Sequence, residues 1–284
     1  MSAVDDFFAA YDALLDDWPV NVTPVDVPTP FGSTRVNACG PESGAPLVLL
    51  PGGGATSTVW IANVAALARS HRVLAVDVMG DVGRSVNDGA PLPLRTALNL
   101  FEWLDAVLDH LGVNASAVVG HSYGAMIALA YALHGSRRVE SLVLLDPTSC
   151  FAGMSPKYLL RAVPVLIRPT QKRQRSLIDW ETAGAGVDPR WLRVTALGTA
   201  AFGRTTLVVP PRPKPDALAR LTAHTAVVLA GESRAHDPGR VAANVRRLLP
   251  SATVTTIPGA THHALPMAPA AVVDAAILSA GVGR

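Results

Sequence analysis

The stretch Ala117–Gly124, AVVGHSYG, decides the fold of this chain. A short apolar run ends at Gly120, and an apolar segment of helical length, Ala125–Leu133, begins directly after Gly124. A serine therefore lies on a sharp turn between a buried strand and a helix, in a G-x-S-x-G pattern. The flanking glycines leave space where a Cβ would strike the strand and the helix. Such a turn lifts the hydroxyl above the sheet, so Ser122 is the predicted nucleophile, with an incidental serine in a Gly-rich turn as the alternative.

Further apolar runs of strand length lie on both sides of this turn and alternate with helical segments. Their apolarity is continuous, which is typical of parallel strands buried on both faces. The predicted strands are an antiparallel hairpin, Val20–Val27 and Thr34–Ala38, followed by Leu47–Leu50, Arg72–Asp77, Ala117–Val119, Leu142–Leu145, Ala226–Ala230 and Thr253–Ile257. The predicted helices are Thr58–Arg69, Leu94–Leu111, Tyr123–His134, Pro238–Leu249 and Pro269–Ala280. The alternation predicts an α/β protein with a mostly parallel eight-stranded sheet flanked by helices.

One connection is much longer than a single crossover helix requires. It runs from Cys150 to about Thr222 and contains eight prolines. We expect an inserted helical cap over residues 150–222, on a core domain formed by residues 1–149 and 223–284. Within it, Arg168–Arg175 is a basic run, which indicates either a solvated surface or a docking site for an acidic partner.

The composition excludes several classes of protein. The chain has 284 residues, of which 49% are hydrophobic, and 24 Lys and Arg residues stand against 22 Asp and Glu. So high an apolar fraction excludes a disordered chain, and the near balance of charge gives no electrostatic reason for a nucleic-acid partner. The longest strongly apolar stretch, Gly124–Leu133, is about half of the roughly 20 residues that a membrane-spanning helix needs, so no membrane partner is expected.

The remaining composition signals concern location and cofactors. Met1–Trp18 carries five aspartates and no basic leader, so we expect no secretory signal and a cytoplasmic protein. Cys39 and Cys150 are too few for a disulfide framework and lack the spacing of zinc ligands. No metal and no cofactor are therefore expected.

In the order of its motifs the sequence resembles the α/β-hydrolase family, over almost the whole chain outside the expected cap. Leu49–Gly54, LLPGGG, stands where the family carries its oxyanion loop, with Pro51 in place of the usual histidine. Asp77–Ser85 resembles the family's D-x-x-G-x-G-x-S loop, and Pro258–His263 follows the last strand, where the family presents its catalytic histidine. The resemblance implies an α/β-hydrolase fold and a serine hydrolase that needs no cofactor.

The resemblance also assigns the oxyanion hole and the general base. The backbone N–H of Gly53, with Gly54 as the alternative, would join that of Tyr123 in holding the oxyanion. The family's G-x-x-H spacing selects His262 as the base, and His263 is the alternative because a shift of one residue would exchange them.

The wall of the acyl pocket is predicted less directly, from the neighbours of these motifs. Trp60 follows the oxyanion loop by about two turns, and Met126 follows Ser122 by one turn. Both could border an acyl pocket, although packing in the core is the more common role of such residues.

The triad acid is where this sequence departs from the family's pattern. Many members carry the carboxylate three residues after the glycine that ends the seventh strand; that glycine is Gly231, and Arg234 stands at the acid position. The nearby carboxylates are Asp146, Glu232 and Asp237. Asp146 is favoured because some members carry the acid after the sixth strand. Asp237 is a close alternative, although an Asp before Pro is typical of a helix N-cap.

These residues predict a serine hydrolase that cleaves a small to medium ester or related acyl compound through an acyl-enzyme intermediate. Two other functions stay open. An acyl thioesterase acting on carrier-bound substrates would use the basic run in the expected cap. A catalytically weak ligand-binding protein would account for Arg234 at the acid position. A small-molecule acyl substrate is the expected partner, and the oligomeric state is not predicted.

Overall fold

A twisted sheet forms the centre of the computed structural model, which describes residues 2–135, 137–185, 187–205 and 207–281. Its eight strands within these ranges are β1 (Val22–Thr29), β2 (Gly32–Cys39), β3 (Ala45–Leu50), β4 (His71–Val76), β5 (Ser116–His121), β6 (Val139–Leu145), β7 (His224–Ala230) and β8 (Thr253–Ile257). Their spatial order is β1-β2-β4-β3-β5-β6-β7-β8. The β1–β2 and β2–β4 pairs are antiparallel, and the other neighbouring pairs are parallel. The predicted α/β class and mostly parallel sheet are confirmed.

Helices cover both faces of the sheet. They are α1 (Ala3–Asp16), α2 (Val64–Leu67), α3 (Ala97–His110), α4 (Tyr123–Leu133), α9 (Pro238–Leu248) and α10 (Ala270–Gly281), outside the β6–β7 connection. Side chains of α3, α4 and α9 form one apolar core, and side chains of α1, α2 and α10 form the other. In β3, Val48 and Leu50 point into the first core, and Leu47 and Leu49 into the second. Burial on both faces explains why the sequence of β3 is continuously apolar.

The N-terminal helix α1 was not among the predicted helices. Ser2 caps it, and its side chain accepts a hydrogen bond from the Asp5 N–H. Its buried side chains pack on η1, a 3₁₀ helix over Ser57–Ala62, and on helix α7 (Pro189–Phe202) of the β6–β7 connection. The Tyr11 hydroxyl donates to the buried carboxylate of Asp77, over 3.0 Å. Asp5, Asp12 and Asp16 are exposed on the opposite side of this amphipathic helix.

Two predicted helices have different bounds in the structure. The segment predicted as one helix, Thr58–Arg69, is divided into η1 and α2. The helix predicted from Leu94 begins at Ala97, where the Thr96 side chain accepts a hydrogen bond from the Asn99 N–H. A capping residue of this kind fixes a helix start more sharply than apolar periodicity does.

The long connection between β6 and β7 is mostly helical. Its described residues form α5 (Pro156–Ile167), α6 (Gln171–Glu181), α7 (Pro189–Phe202) and α8 (Pro215–Leu218). Helix α7 packs against both α6 and α1, so one side of the connection is joined to the core. The division into a core and a separate cap at residues 150–222 stays a prediction.

Candidate active site

Ser122 lies on the turn between β5 and α4 with φ 52° and ψ −109°. Two glycines make this turn sterically feasible. A Cβ on Gly120 would lie 2.3 Å from the Gly124 carbonyl oxygen, and a Cβ on Gly124 would lie 2.3 Å from the Leu50 carbonyl oxygen. A positive φ is costly for a serine, so the packing around the turn must hold it in this conformation.

His262 lies in the loop after β8 and faces Ser122. Its Nε2 is 2.9 Å from the Ser122 Oγ. The loop is held by Glu181, a fully buried residue of α6, which accepts hydrogen bonds from the backbone N–H groups of His262 (3.0 Å) and His263 (2.9 Å). The His121 ring is 3.0 Å from the His262 carbonyl oxygen. Contacts from both sides thus fix the imidazole in reach of the serine.

His263, the alternative base, has a different partner. Its Nε2 is 3.1 Å from the hydroxyl oxygen of Tyr158 in α5. The structure therefore brings His262 to Ser122, and it joins His263 to the wall formed by α5.

Asp146 follows β6 and lies behind His262. Its Oδ2 is 2.6 Å from His262 Nδ1 and accepts a hydrogen bond from the Ser233 hydroxyl over 2.7 Å. Its Oδ1 accepts from the Ala230 N–H and contacts His236 Nε2, each over 3.0 Å. The carboxylate is fully buried, so these four groups replace its water shell.

The two central groups shift each other's pKa. Burial would raise the pKa of Asp146, but hydrogen bonds from His236 and His262 hold it well below its usual range. Burial would lower the pKa of His262, but the hydrogen bond to Asp146 and the charges of Asp146 and Glu181 raise it above its ordinary value. An ionised Asp146 keeps the proton of neutral His262 on Nδ1, which leaves Nε2 free to accept the hydroxyl proton of Ser122.

The glycine loop after β3 lies on the other side of Ser122. Gly53 and Tyr123 line the cavity above the serine. The N–H of Gly54 donates to the buried carboxylate of Asp81 over 2.8 Å, so this alternative oxyanion donor is already engaged. Burial raises the pKa of Asp81 to about 6. Tyr123 is the first residue of α4, where backbone N–H groups have no partner within the helix.

The cavity above Ser122 has a volume of about 240 Å³. Its wall is largely apolar and includes Met126, Met154, Tyr158, Trp191, Leu207 and Val209. Met126, a predicted lining residue, is in this wall. Trp60, the other one, is not: it is fully buried in the core on the α1 and α10 face of the sheet, because η1 turns its side chain inward.

Asp237, the alternative acid, is not brought to His262. It is an exposed N-cap of α9 and accepts a hydrogen bond from the Arg240 N–H over 3.0 Å, as the Asp-Pro pair indicates. Glu232 is also exposed. Arg234 donates to the Trp180 carbonyl oxygen and lies over the Trp180 ring, 5.2 Å from its centroid.

Sequence reasoning missed His236 and Ser233, which contact Asp146, and Glu181, which holds the His262 loop. The first two lie in the loop after β7, where much of the family carries its acid. This loop supplies hydrogen-bond donors to a carboxylate from β6 instead. A search for donors to a buried Asp146 would have indicated them, whereas nothing in the sequence relates Glu181 to the His262 loop.

Other features of the described residues concern metal sites, disulfides and membrane-spanning helices. No three His, Cys, Asp or Glu side chains among them are placed to hold a metal ion. Cys39 and Cys150 are buried and free. None of the helices in the described ranges combines the length and apolarity needed to cross a bilayer.

The chain is similar to known proteins of one family. Residues 47–275 match the family described as the alpha/beta hydrolase family. The chain is 34% identical to "Carboxylesterase YbfK" of Bacillus subtilis over 150 residues, which are 53% of this chain and 50% of that protein. It is also 34% identical to "Uncharacterized carboxylesterase nap" of the same organism over 145 residues, 51% of this chain and 47% of that protein. The aligned part thus spans about half the length of these curated relatives.

Solved structures resemble the chain over nearly its full length. The crystal structure of carboxylesterase CesB (YbfK) from Bacillus subtilis has a TM-score of 0.88 at 25% identity and covers 96% of both chains. That of naproxen esterase from the same organism has a TM-score of 0.88 at 24% identity and covers 98% of both.

Proposed function

The chain belongs to the alpha/beta hydrolase family, and from this premise we propose that it is a serine carboxylesterase that hydrolyses small to medium esters through an acyl-enzyme intermediate. One observation carries the proposal: Ser122, His262 and Asp146 are joined by contacts of 2.9 and 2.6 Å beneath an apolar cavity. The 34% identity to carboxylesterases supports an ester substrate.

In the proposed first half-reaction, Ser122 Oγ attacks the ester carbonyl carbon while His262 Nε2 takes the hydroxyl proton. Asp146 stabilises the imidazolium through its contact with Nδ1. The N–H groups of Gly53 and Tyr123 donate to the oxyanion, and each such donor contributes about 3 kcal/mol in comparable sites. His262 then gives its proton to the alcohol oxygen, and the bond between the carbonyl carbon and that oxygen breaks.

The second half-reaction releases the acid. A water molecule gives a proton to His262 Nε2 and attacks the acyl carbon, and the same donors hold the second oxyanion. His262 returns the proton to Ser122 Oγ as the acyl–oxygen bond breaks. The low pKa of Asp146 keeps it ionised in both halves, so it holds the imidazole without taking its proton.

Cavity size supports a small substrate. The volume of about 240 Å³ lies below the roughly 300–1,000 Å³ of pockets that hold drug-sized ligands. Met126 and Leu207 favour an alkyl or aryl acyl group over a charged one. A series of p-nitrophenyl esters should therefore show the highest kcat/KM at short to medium acyl chains and a fall at long chains.

A fluorophosphonate probe tests the proposed function. We expect rapid, stoichiometric labelling of the wild-type protein at Ser122, and no labelling of Ser122→Ala. A folded wild-type protein that is not labelled would reject the enzyme and favour the ligand-binding alternative. That alternative has lost its main support, because Asp146 and not Arg234 contacts the imidazole.

The thioesterase alternative depends on the basic run Arg168–Arg175. It requires that carrier-bound thioesters be hydrolysed faster than free thioesters of the same acyl group, and equal rates would reject it.

The cytoplasmic location stays a prediction that cell fractionation tests.

A further inference from the structure

Helix α5 exposes an apolar stripe on its outer side. Five of its side chains are between 39% and 72% exposed: Leu159, Leu160, Val163, Leu166 and Ile167. Their spacing of i, i+1, i+4, i+7 and i+8 places them on one side of a helix about 18 Å long. In a globular protein this spacing normally faces a core. Here the stripe faces outward, so it is suited to a partner.

The opposite side of α5 is already used. Tyr158 is its one buried residue, and the Tyr158 hydroxyl contacts His263 beside the candidate active site. Helix α5 is therefore fixed by its inner face, and rotation cannot bury the stripe without breaking this contact.

Positive charge lies on the same segment of the chain: Arg161, on the inner side of α5, lies over the Trp180 ring, and Arg168 at the end of α5 is followed by three cations in α6. From Pro147 to Ile178 the chain contains no Asp or Glu, and its six cations are Lys157, Arg161, Arg168, Lys172, Arg173 and Arg175. Arg173 donates to the carbonyl oxygens of Pro164 and Arg168, which ties the end of α5 to α6. None of the six forms an ion pair with a carboxylate of the described residues. Asp179, near the end of α6, is the first exposed acid after them.

We propose that α5 and the first turn of α6 bind to an anionic lipid surface, with the apolar stripe inserted among the lipid chains. An amphipathic helix with exposed Leu and Ile, followed by a cluster of Lys and Arg, is a combination that such surfaces bind. A second copy of this chain fits poorly, because its six cations would face these six. The partner is therefore a surface that is both acidic and apolar.

This inference goes beyond the proposed function and does not depend on it, because docking needs no turnover. It changes one expectation: the absence of a long apolar run argues against a spanning helix, but not against a helix that lies on a bilayer. Docking would also bring the candidate active site close to the lipid, because Tyr158 of α5 and Gln174 of α6 line the cavity.

Vesicle flotation tests the proposal. The full chain is mixed with phosphatidylcholine vesicles, with or without phosphatidylglycerol. We expect binding to the phosphatidylglycerol vesicles, weakened by salt, and little binding to phosphatidylcholine alone. Leu160→Gln with Ile167→Gln should lower the partition coefficient about 100-fold, and Arg168→Gln with Lys172→Gln about 25-fold.

Matched variants on other surfaces serve as controls. Leu92 and Leu98 are 47% and 48% exposed, and changing both to Gln should leave binding unchanged, as should Arg246→Gln with Arg247→Gln. The α5 variant should hydrolyse a water-soluble ester at the wild-type rate, which shows that it is folded. Ser122→Ala should bind vesicles like the wild type, so failure of the proposed catalysis and failure of docking are distinguishable.

Three results would overturn the proposal. The first is no binding to phosphatidylglycerol vesicles, or binding that the α5 variant retains. The second is a wild-type dimer without lipid that the α5 variant dissociates, which would make the stripe an interface between two copies. The third is binding to an acidic acyl-carrier protein with no binding to vesicles.

Discussion

Replacing Asp146 by Asn removes one charge and keeps nearly the same shape. The effect on catalysis depends on the four groups that contact the carboxylate. The backbone N–H of Ala230 lies on the Oδ1 side, and it can only donate a hydrogen bond. An amide nitrogen placed there would face a donor, at a cost of about 1–3 kcal/mol. The nitrogen is therefore expected on the Oδ2 side, toward Ser233 and His262.

Both neighbours on the Oδ2 side can change so that they accept a hydrogen bond, but the change at His262 removes its function as a base. The Ser233 hydroxyl can rotate to accept a hydrogen bond. His262 can accept one only if its proton moves from Nδ1 to Nε2, where it faces the Ser122 Oγ. Such a tautomer cannot take the hydroxyl proton, and a comparable change in a serine protease lowers kcat by about 10⁴, which corresponds to about 5.4 kcal/mol.

The assay is kcat for a p-nitrophenyl ester, with thermal unfolding measured on the same samples. Asp237→Asn is the matched control, because the change is chemically identical but lies at the exposed cap of α9. It should keep kcat within twofold of the wild type, since Asn is also a good cap. A kcat for Asp146→Asn within tenfold of the wild type, in a folded protein, would contradict the proposed role of Asp146. A large loss in Asp237→Asn instead would transfer the acid role to Asp237.

Three further predictions concern the groups around the triad and the N-terminal helix. Asp146 raises the pKa of His262 above 6.5, the ordinary value for His, so kcat/KM should fall as the pH drops through a midpoint above 6.5. A midpoint below 6.5 would show that burial lowers the pKa of His262 more than Asp146 raises it. His236→Phe should lower kcat about tenfold or more and shift the pH midpoint of kcat/KM. His236→Gln keeps a hydrogen-bond donor to Asp146 and should recover most of the rate. Equal rates in both variants would mean that His236 only fills space. Tyr11→Phe removes a hydrogen-bond donor to the buried Asp77 carboxylate. It should lower the free energy of unfolding, measured by chemical denaturation, by about 1.5–3 kcal/mol and leave kcat unchanged. An unchanged denaturation midpoint would show that α1 adds little stability through this contact.

The sequence predicted the elements whose signals are local. Strands buried on both faces are continuously apolar, and this signal predicts β3 to β7; β8, TVTTI, is an edge strand that is mostly exposed. Gly120 and Gly124 marked the serine turn because only glycine fits where a Cβ would meet a backbone oxygen at 2.3 Å. Helix α1 was not predicted, although Phe7, Tyr11 and Leu14 have helical spacing, because five aspartates interrupt the apolar pattern of the first 18 residues.

The parts that could not be predicted depend on distances between loops. Asp146 and Asp237 are both candidates for the acid in sequence. The structure distinguishes them, because Asp146 follows β6 next to β7 in the sheet, whereas Asp237 caps α9. Trp60 is in sequence a candidate for either the pocket wall or the core, and η1 turns it into the core. Glu181 reaches the His262 loop from 81 residues away, a contact that no spacing rule indicates.

The most direct test of the central claim is to find the atom that carries the acyl group during turnover. The protein is mixed rapidly with a p-nitrophenyl ester, quenched in acid and digested, and the peptides are weighed by mass spectrometry. We expect one acyl group per chain, on the peptide that contains Ser122, and none in Ser122→Ala. Acylation at another residue, or steady hydrolysis by Ser122→Ala at the wild-type rate, would contradict it.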